Sequence, residues 1–324
     1  MTTTPFKPAW WCRSAHLQTL WPYLFRTVPV PVYRRERLEL PDGDFIDVDW
    51  IDGCDDAPIV ILLHGLEGGS DSHYVRAICG RLGAIGARCA VMHFRGCSGE
   101  PNRLARGYHS GDTADLACFV EYLKRLSPSS ILGAIGYSLG GNVLLKWCGE
   151  TGKDCPLSFA VTVSVPFDLM VAADTLDAGL SRIYQWWLVR SLKRTARHKM
   201  ELGLLDYREA EIGPLKTFTE FDDKVTAPLH GFANAEDYYR RSSSRPWLGK
   251  IRIPALLLQA ADDPFMKPAG IPEQKELSDS VRLELYQHGG HVGFVSGGRP
   301  FIGRYWLDER ITEYIRSRLS LYRP

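Results

Sequence analysis

The chain reads as an α/β domain: a mostly parallel central sheet flanked by helices on both sides. Three features predict this. Five short runs are apolar throughout, helix-period stretches separate them, and turn residues punctuate their ends. Runs that are apolar without alternation suit strands covered on both faces, as parallel strands are. Strand–helix alternation then builds an open α/β sheet.

Taken in order, RLEL (37–40) and DFIDVDW (44–50) alternate and are joined by Pro41-Asp42-Gly43, a hairpin signal. The core strands follow as IVILLH (59–64), CAVMHF (89–94), ILGAIGYS (131–138), FAVTVSV (159–165) and ALLLQA (255–260). Between the second and third of these, the stretch 112–126 carries Leu116, Phe119, Val120 and Leu123 at i, i+3, i+4 and i+7, with Asp112 as its expected cap. Residues 166–245 break the rhythm. They hold SRIYQWWLVRSLKRTARHKMEL (181–202), helical in pattern, and no strong strand, so they are expected to form a helical cap inserted before the last two strands. The sheet resumes near Ile251 and ends with VRLELYQ (281–287) and an amphipathic helix around 305–319. The expected organisation is one domain, with a core over 30–165 and 246–324, a cap over 166–245, and an aromatic-rich segment 1–29 packed on the core.

Lys+Arg 39 against Asp+Glu 38 leaves a net charge of +1, so nothing draws the chain toward nucleic acid. A small neutral partner fits better. The 8 cysteines form no CxxC pair, and several sit in apolar runs where a thiol behaves as a small hydrophobe. That usage, an N-terminus without signal-peptide pattern, and the lack of an apolar stretch of ~20 residues predict a cytoplasmic protein without a transmembrane segment. Scattered histidines and the absence of H-E-x-x-H or G-x-G-x-x-G predict no metal and no dinucleotide cofactor.

The chemistry-bearing motif is Gly136-Tyr137-Ser138-Leu139-Gly140, a G-x-S-x-G between strand ILGAI and the helix-like run NVLLKWCGE. Such a turn pushes a serine hydroxyl beyond the strand ends, and its glycines avoid collisions beside the serine. A serine needs a base to take its proton, and in the α/β-hydrolase fold the partners follow in the order Ser, acid, His. Asp263 lies just past strand ALLLQA and His291 just past VRLELYQ, so all three fall on one rim of the sheet. Asp262 competes with Asp263, and His288 with His291; Asp263 and His291 are preferred, the latter because Gly289 and Gly290 leave room beside it. The oxyanion of an acyl-transfer intermediate needs backbone N–H donors. The amide of Leu139, directly after the serine, is one candidate, and Leu66 in the loop His64-Gly65-Leu66-Glu67-Gly68-Gly69 is the other.

With these residues assembled, the chain resembles the YheT-like branch of the α/β hydrolases, bacterial relatives of mammalian α/β-hydrolase-domain lipases and of a plant embryogenesis-associated protein. The similar segments are HLQTLWP (16–22), HGLEGGSDSHY (64–74), FRGCSGEPNRLARGYHSGDTADL (94–116), GYSLGGNVLLKW (136–147), ADDPF (261–265) and GGHVGF (289–294). The resemblance implies carboxylesterase or lipase activity and the triad Ser138, Asp263, His291. In the FRGCSG loop, Arg95 and Cys97 are expected to be structural, and His109, Ser110 and Tyr137 are candidate pocket residues. The expected reaction is hydrolysis of short-chain carboxylic esters. The alternatives are an acylglycerol lipase or phospholipase working at a membrane surface, whose acyl channel Trp186, Trp187 and Leu188 would line, and a ligand-binding homologue without turnover. The aromatic opening (Trp10, Trp11, Trp21, Tyr23, Phe25) is expected to pack over the sheet, because it lacks the basic face of an interfacial helix.

Overall fold

The computed structural model describes residues 5–322. Eight strands form one sheet: β1 (Arg34–Glu39), β2 (Phe45–Ile51), β3 (Ile59–Leu63), β4 (Arg88–Met92), β5 (Leu132–Tyr137), β6 (Phe159–Val163), β7 (Ala255–Ala260) and β8 (Val281–Tyr286). Their spatial order is β1-β2-β4-β3-β5-β6-β7-β8. β1 and β2 are antiparallel additions at one edge, and every pairing from β4 to β8 is parallel. The five apolar runs are the five central strands, and their residues are buried on both faces as the lack of alternation predicts.

Two layers of helices provide that cover. α3 (Ala114–Leu126) and α4 (Leu139–Thr151) pack Leu116, Phe119, Leu144 and Trp147 against one face. α2 (His73–Ala84) and the closing helix α11 (Trp306–Leu319) pack Ile78, Leu82, Ile311 and Ile315 against the other. The N-cap position of α3 is Thr113 rather than Asp112; the Asp112 carboxylate accepts instead from Arg106, 2.6 Å away, and so ties down the preceding loop.

From β6 to β7 the chain is helical: α5 (Leu169–Leu176), α6 (Ser181–Glu201), the short turns α7 (Glu209–Ile212), α8 (Phe218–Phe221) and α9 (Ala227–Leu229), and α10 (Ala235–Ser242). This insertion has its own apolar clusters, one around Leu169, Tyr238 and Tyr239 and another around Leu205, Ile212 and Phe221. Past β8 lies a feature the sequence pattern did not reveal, a hairpin of β9 (Val295–Arg299) and β10 (Ile302–Tyr305). Its residues Ser296 to Gly303 include three glycines and little alternation, so no strand signal stands out there.

The first helix, α1 (Ala15–Phe25), is bolted to that hairpin and to the loop before it. Gln18 is fully buried; its Nε2 donates to the Cys12 and Val295 carbonyls at 2.5 and 3.0 Å, and its Oε1 accepts from the Val295 amide at 2.6 Å. A primary amide that fills all these bonds inside the protein fixes the position of α1 on the core.

Candidate active site

Ser138 stands between β5 and α4 with φ 49 and ψ −119, a left-handed conformation that non-glycine residues rarely adopt. Its amide donates to the Val163 carbonyl at 2.9 Å and its carbonyl accepts from Asn142 at 3.1 Å, so both neighbouring elements hold the strained turn. The turn closes because Gly140 has no side chain: a Cβ there would lie 2.5 Å from the Leu63 and His64 carbonyl oxygens.

His291 Nε2 lies 3.0 Å from Ser138 Oγ, and His291 Nδ1 lies 2.9 and 3.1 Å from the two Asp263 carboxylate oxygens. A carboxylate only accepts, so Nδ1 carries the proton and Nε2 turns its lone pair to the hydroxyl. The competing pair joins elsewhere. Asp262 lies 3.2 Å from His288 Nδ1 and accepts from the Gly290 amide at 3.0 Å, bracing the loop that carries His291.

Several residues that hold this row escaped the sequence reading. Gln259 donates to Asp263 at 3.3 Å, and its carbonyl accepts from Val165 at 2.9 Å. Phe265, whose amide donates to Asp263 at 2.8 Å, lays its ring parallel to the imidazole at 4.0 Å between centroids. Ser164 accepts from the Val292 amide at 2.9 Å. Thr19 of α1 accepts from the His291 amide at 2.9 Å. Gly290 is needed for this contact with α1 rather than for open room: it has φ 60, and a Cβ would meet the Ala15 carbonyl oxygen at 2.5 Å. The contacts of Thr19, of Ser164 and of Gln259 with Val165 join positions far apart in the chain, so only the fold brings them together.

The loop after β3 runs beside the serine, since a Cβ on Gly65 would come within 3.5 Å of Ser138 Cβ. Neither Leu66 N–H nor Leu139 N–H donates to another described group of the protein, whereas the Gly65, Glu67 and Ser138 amides do. His64 pins this loop. The Phe94 amide donates to its Nε2 at 3.2 Å, so Nδ1 carries the hydrogen and donates to the Gly65 carbonyl at 2.7 Å. Burial pushes the pKa of His64 down to about 3, so it stays neutral. Glu67, next to Leu66, has φ 52. Its amide donates to the Tyr108 hydroxyl at 2.8 Å, and its carboxylate accepts from Tyr108 at 3.0 Å and from Thr195 and Ser191 of α6 at 2.6 and 3.3 Å.

The remaining candidates fall outside this row. Tyr137 is not a pocket wall: strand alternation turns it into the layer under α2, 1% exposed, with its ring 4.5 Å from Tyr74. There it backs the Tyr74 hydroxyl that accepts from the Gly65 amide at 3.0 Å. His109 sits among His230, Phe232 and Tyr238 of the insertion, and the Ser110 amide donates to Tyr238 at 2.9 Å. Arg95 is buried and donates to Asp115, Asp42 and Asp44 at 2.6 to 3.1 Å, which makes it a strut of its loop. The Cys97 thiol is pushed well up by burial, as an inert cysteine would be. Trp186 and Trp187 face solvent, 58% and 48% exposed, and so do not line an acyl channel. Among the described residues no group of histidine, cysteine or carboxylate side chains could hold a metal ion.

Residues 58–298 match the family model described as alpha/beta hydrolase fold. The chain is 41% identical over 312 residues to YheT of Escherichia coli (strain K12), covering 95% of this chain and 92% of that protein. It is 30% identical over 330 residues to phospholipase ABHD3 of Mus musculus, covering 99% and 80%. Among solved structures, the esterase PF2001 of Pyrococcus furiosus shares the fold at a TM-score of 0.58 and 17% identity, over 99% of this chain and 97% of that one. On the family match and these relatives, the chain belongs to the α/β-hydrolase family, in its group of esterases and lipases.

Proposed function

We propose that the chain hydrolyses carboxylic esters, with Ser138 as nucleophile, His291 as general base and acid, and Asp263 orienting the imidazole. The supporting observation is the continuous row from Asp263 through His291 to Ser138 Oγ, each step at hydrogen-bonding distance. His291 takes the proton of Ser138 as the hydroxyl attacks the ester carbonyl. The ester carbonyl becomes an oxyanion, and the two unengaged amides of Leu66 and Leu139 receive it. Collapse expels the alcohol, which takes the proton from His291. Water deprotonated by the same imidazole then attacks the acyl-serine, and its breakdown returns the acid and the free hydroxyl.

Asp263 stabilises the imidazolium that forms at each step, and Phe265 stacked on the ring limits its rotation. The helical insertion acts as the cap over this site, and a short acyl group is the preferred substrate. In an assay with p-nitrophenyl esters of increasing chain length, the wild-type chain is expected to turn over the short members. Ser138→Ala should reduce kcat by about 10⁴-fold or more while the protein stays folded. Turnover that persists in a folded Ser138→Ala chain refutes the assignment.

A further inference from the structure

We infer that the face formed by α1, the first half of α6 and the tip of the β9–β10 hairpin docks on an anionic phospholipid bilayer. Leu20, Tyr23, Leu24 and Phe25 of α1 project outward, with Ile183 64% exposed beside Trp186 and Trp187 on α6. Phe301 and Ile302 at the hairpin tip are 72% and 74% exposed. Ring contacts join them into one surface: Tyr23 meets Trp187 at 5.1 Å, and Phe301 meets Trp21 and Phe25 at 5.0 and 5.4 Å. Contiguous exposed apolar surface of this kind marks an interaction site rather than ordinary scatter.

The surface borders the reactive row. Tyr184, on the inner side of α6, bonds His16 of α1 at 3.0 Å and touches Phe265 at 5.1 Å, and Phe265 lies on the His291 ring. An acyl lipid leaving a bilayer here would arrive at the edge of the site.

Charge selects the partner. α1 has no lysine, arginine, aspartate or glutamate, so the helix by itself lacks an interfacial helix's basic face. The fold supplies that face from α6. Arg182, Trp186, Arg190 and Arg194 follow at four-residue spacing and so share one stripe of the helix. Arg190 lies over the Trp186 ring at 5.5 Å. Among the described residues none of these three arginines pairs with a carboxylate, whereas Arg197 is engaged by Glu209 and Lys193 and Lys199 by backbone carbonyls. Among the described groups Arg194 donates only to the Ser191 hydroxyl, at 3.2 Å, and an aromatic row bordered by arginines without carboxylate partners matches the polarity of a bilayer with anionic headgroups. A second copy of the chain fits less well, because neither α1 nor residues 295–305 carries an acidic side chain to meet the stripe.

Docking deepens the reading above by presenting the ester at a lipid interface, as a membrane-borne molecule with a short acyl group, and only that step rests on the catalytic assignment. The test is co-sedimentation of the full chain with vesicles of phosphatidylcholine alone and of phosphatidylcholine with phosphatidylglycerol. Stronger binding to the anionic vesicles, weakened by salt, is expected. Arg190→Glu should weaken it by about fivefold or more, following the contribution of one basic residue near an anionic surface. It should leave p-nitrophenyl acetate hydrolysis unchanged, and Trp187→Ser should weaken binding to both vesicle types. Ser138→Ala should bind as the wild type does, which separates failure of docking from failure of the catalytic reading. Equal binding to the two compositions, or an unaffected Arg190→Glu, overturns the inference. So does a solution dimer that Trp187→Ser dissociates.

Discussion

At Gly140 the geometry is set by backbone rather than by side chains that can give way. The Leu63 and His64 carbonyls sit where a Cβ would go, and both belong to the β3 end that starts the oxyanion loop. Gly140→Ala must therefore shift α4 or β3, and an overpacking cost at the upper end of the usual range, about 3 kcal/mol, is expected. Urea unfolding measures it, and an unchanged midpoint contradicts the packing. Asp222 poses a different problem. It is buried, accepts from Thr226 and Tyr239 at 2.6 and 2.7 Å, and burial raises its pKa to about 6. The folded carboxyl thus holds its proton more tightly than the unfolded one at 3.8, so its contribution to stability falls as pH rises between roughly 4 and 6. Asp222→Asn lacks this titration. Its stability relative to the wild type should climb by about 1.4 kcal/mol per pH unit across that window and level off above it. Thermal unfolding at several pH values checks this, and a constant difference refutes it. At this scale Ser138, Asp263 and His291 were legible because each follows a recognisable strand in a fixed order. Gln259, Thr19 and Ser164 were not, since a lone polar residue carries no periodic or spacing signal. Tyr137 was misread because adjacency to the serine in sequence says nothing of which face of β5 it occupies.

Among the elements, α6 and the oxyanion loop are linked through one carboxylate. Glu67 takes hydroxyls from Thr195 and Ser191 of α6, and its own amide and carboxylate both hold Tyr108. The position of α6 is therefore passed to the residue beside Leu66. Glu67→Gln keeps the shape but forces an amide N–H against hydroxyl donors. It should lower kcat about tenfold with little change in KM, because a donor displaced from the oxyanion weakens the transition state selectively. Thr195→Val should act in the same direction. A raised KM with kcat intact would contradict the link. The five central strands were readable from their unbroken apolar runs, the edge strands from alternation and turn residues, and α3 and α6 from helical periodicity. The β9–β10 hairpin was not, because its glycines and arginines leave pairing with α1 and the preceding loop to define it. The basic stripe on α6 was visible only as charge until the fold put it beside the apolar face of α1.

Over the whole molecule, residues from both ends meet at one rim. α1 supplies Thr19 and Gln18, the end of β3 supplies the loop of Leu66, the middle supplies Ser138, and the final third supplies Asp263, Phe265 and His291. Composition pointed to one globular α/β unit of balanced charge, and the sequence order of the motifs pointed to the rim. The mutual placement of α1, the insertion and the hairpin depends on long-range contacts that no local pattern encodes. The central claim is that Ser138 is an activated nucleophile, and mass spectrometry of the chain after reaction with a fluorophosphonate tests it most directly. A single adduct on the peptide bearing Ser138, formed in step with loss of esterase activity and greatly slowed in His291→Ala, is the predicted result. An active enzyme that stays unmodified at Ser138, or whose inactivation tracks an adduct on another residue, would contradict it.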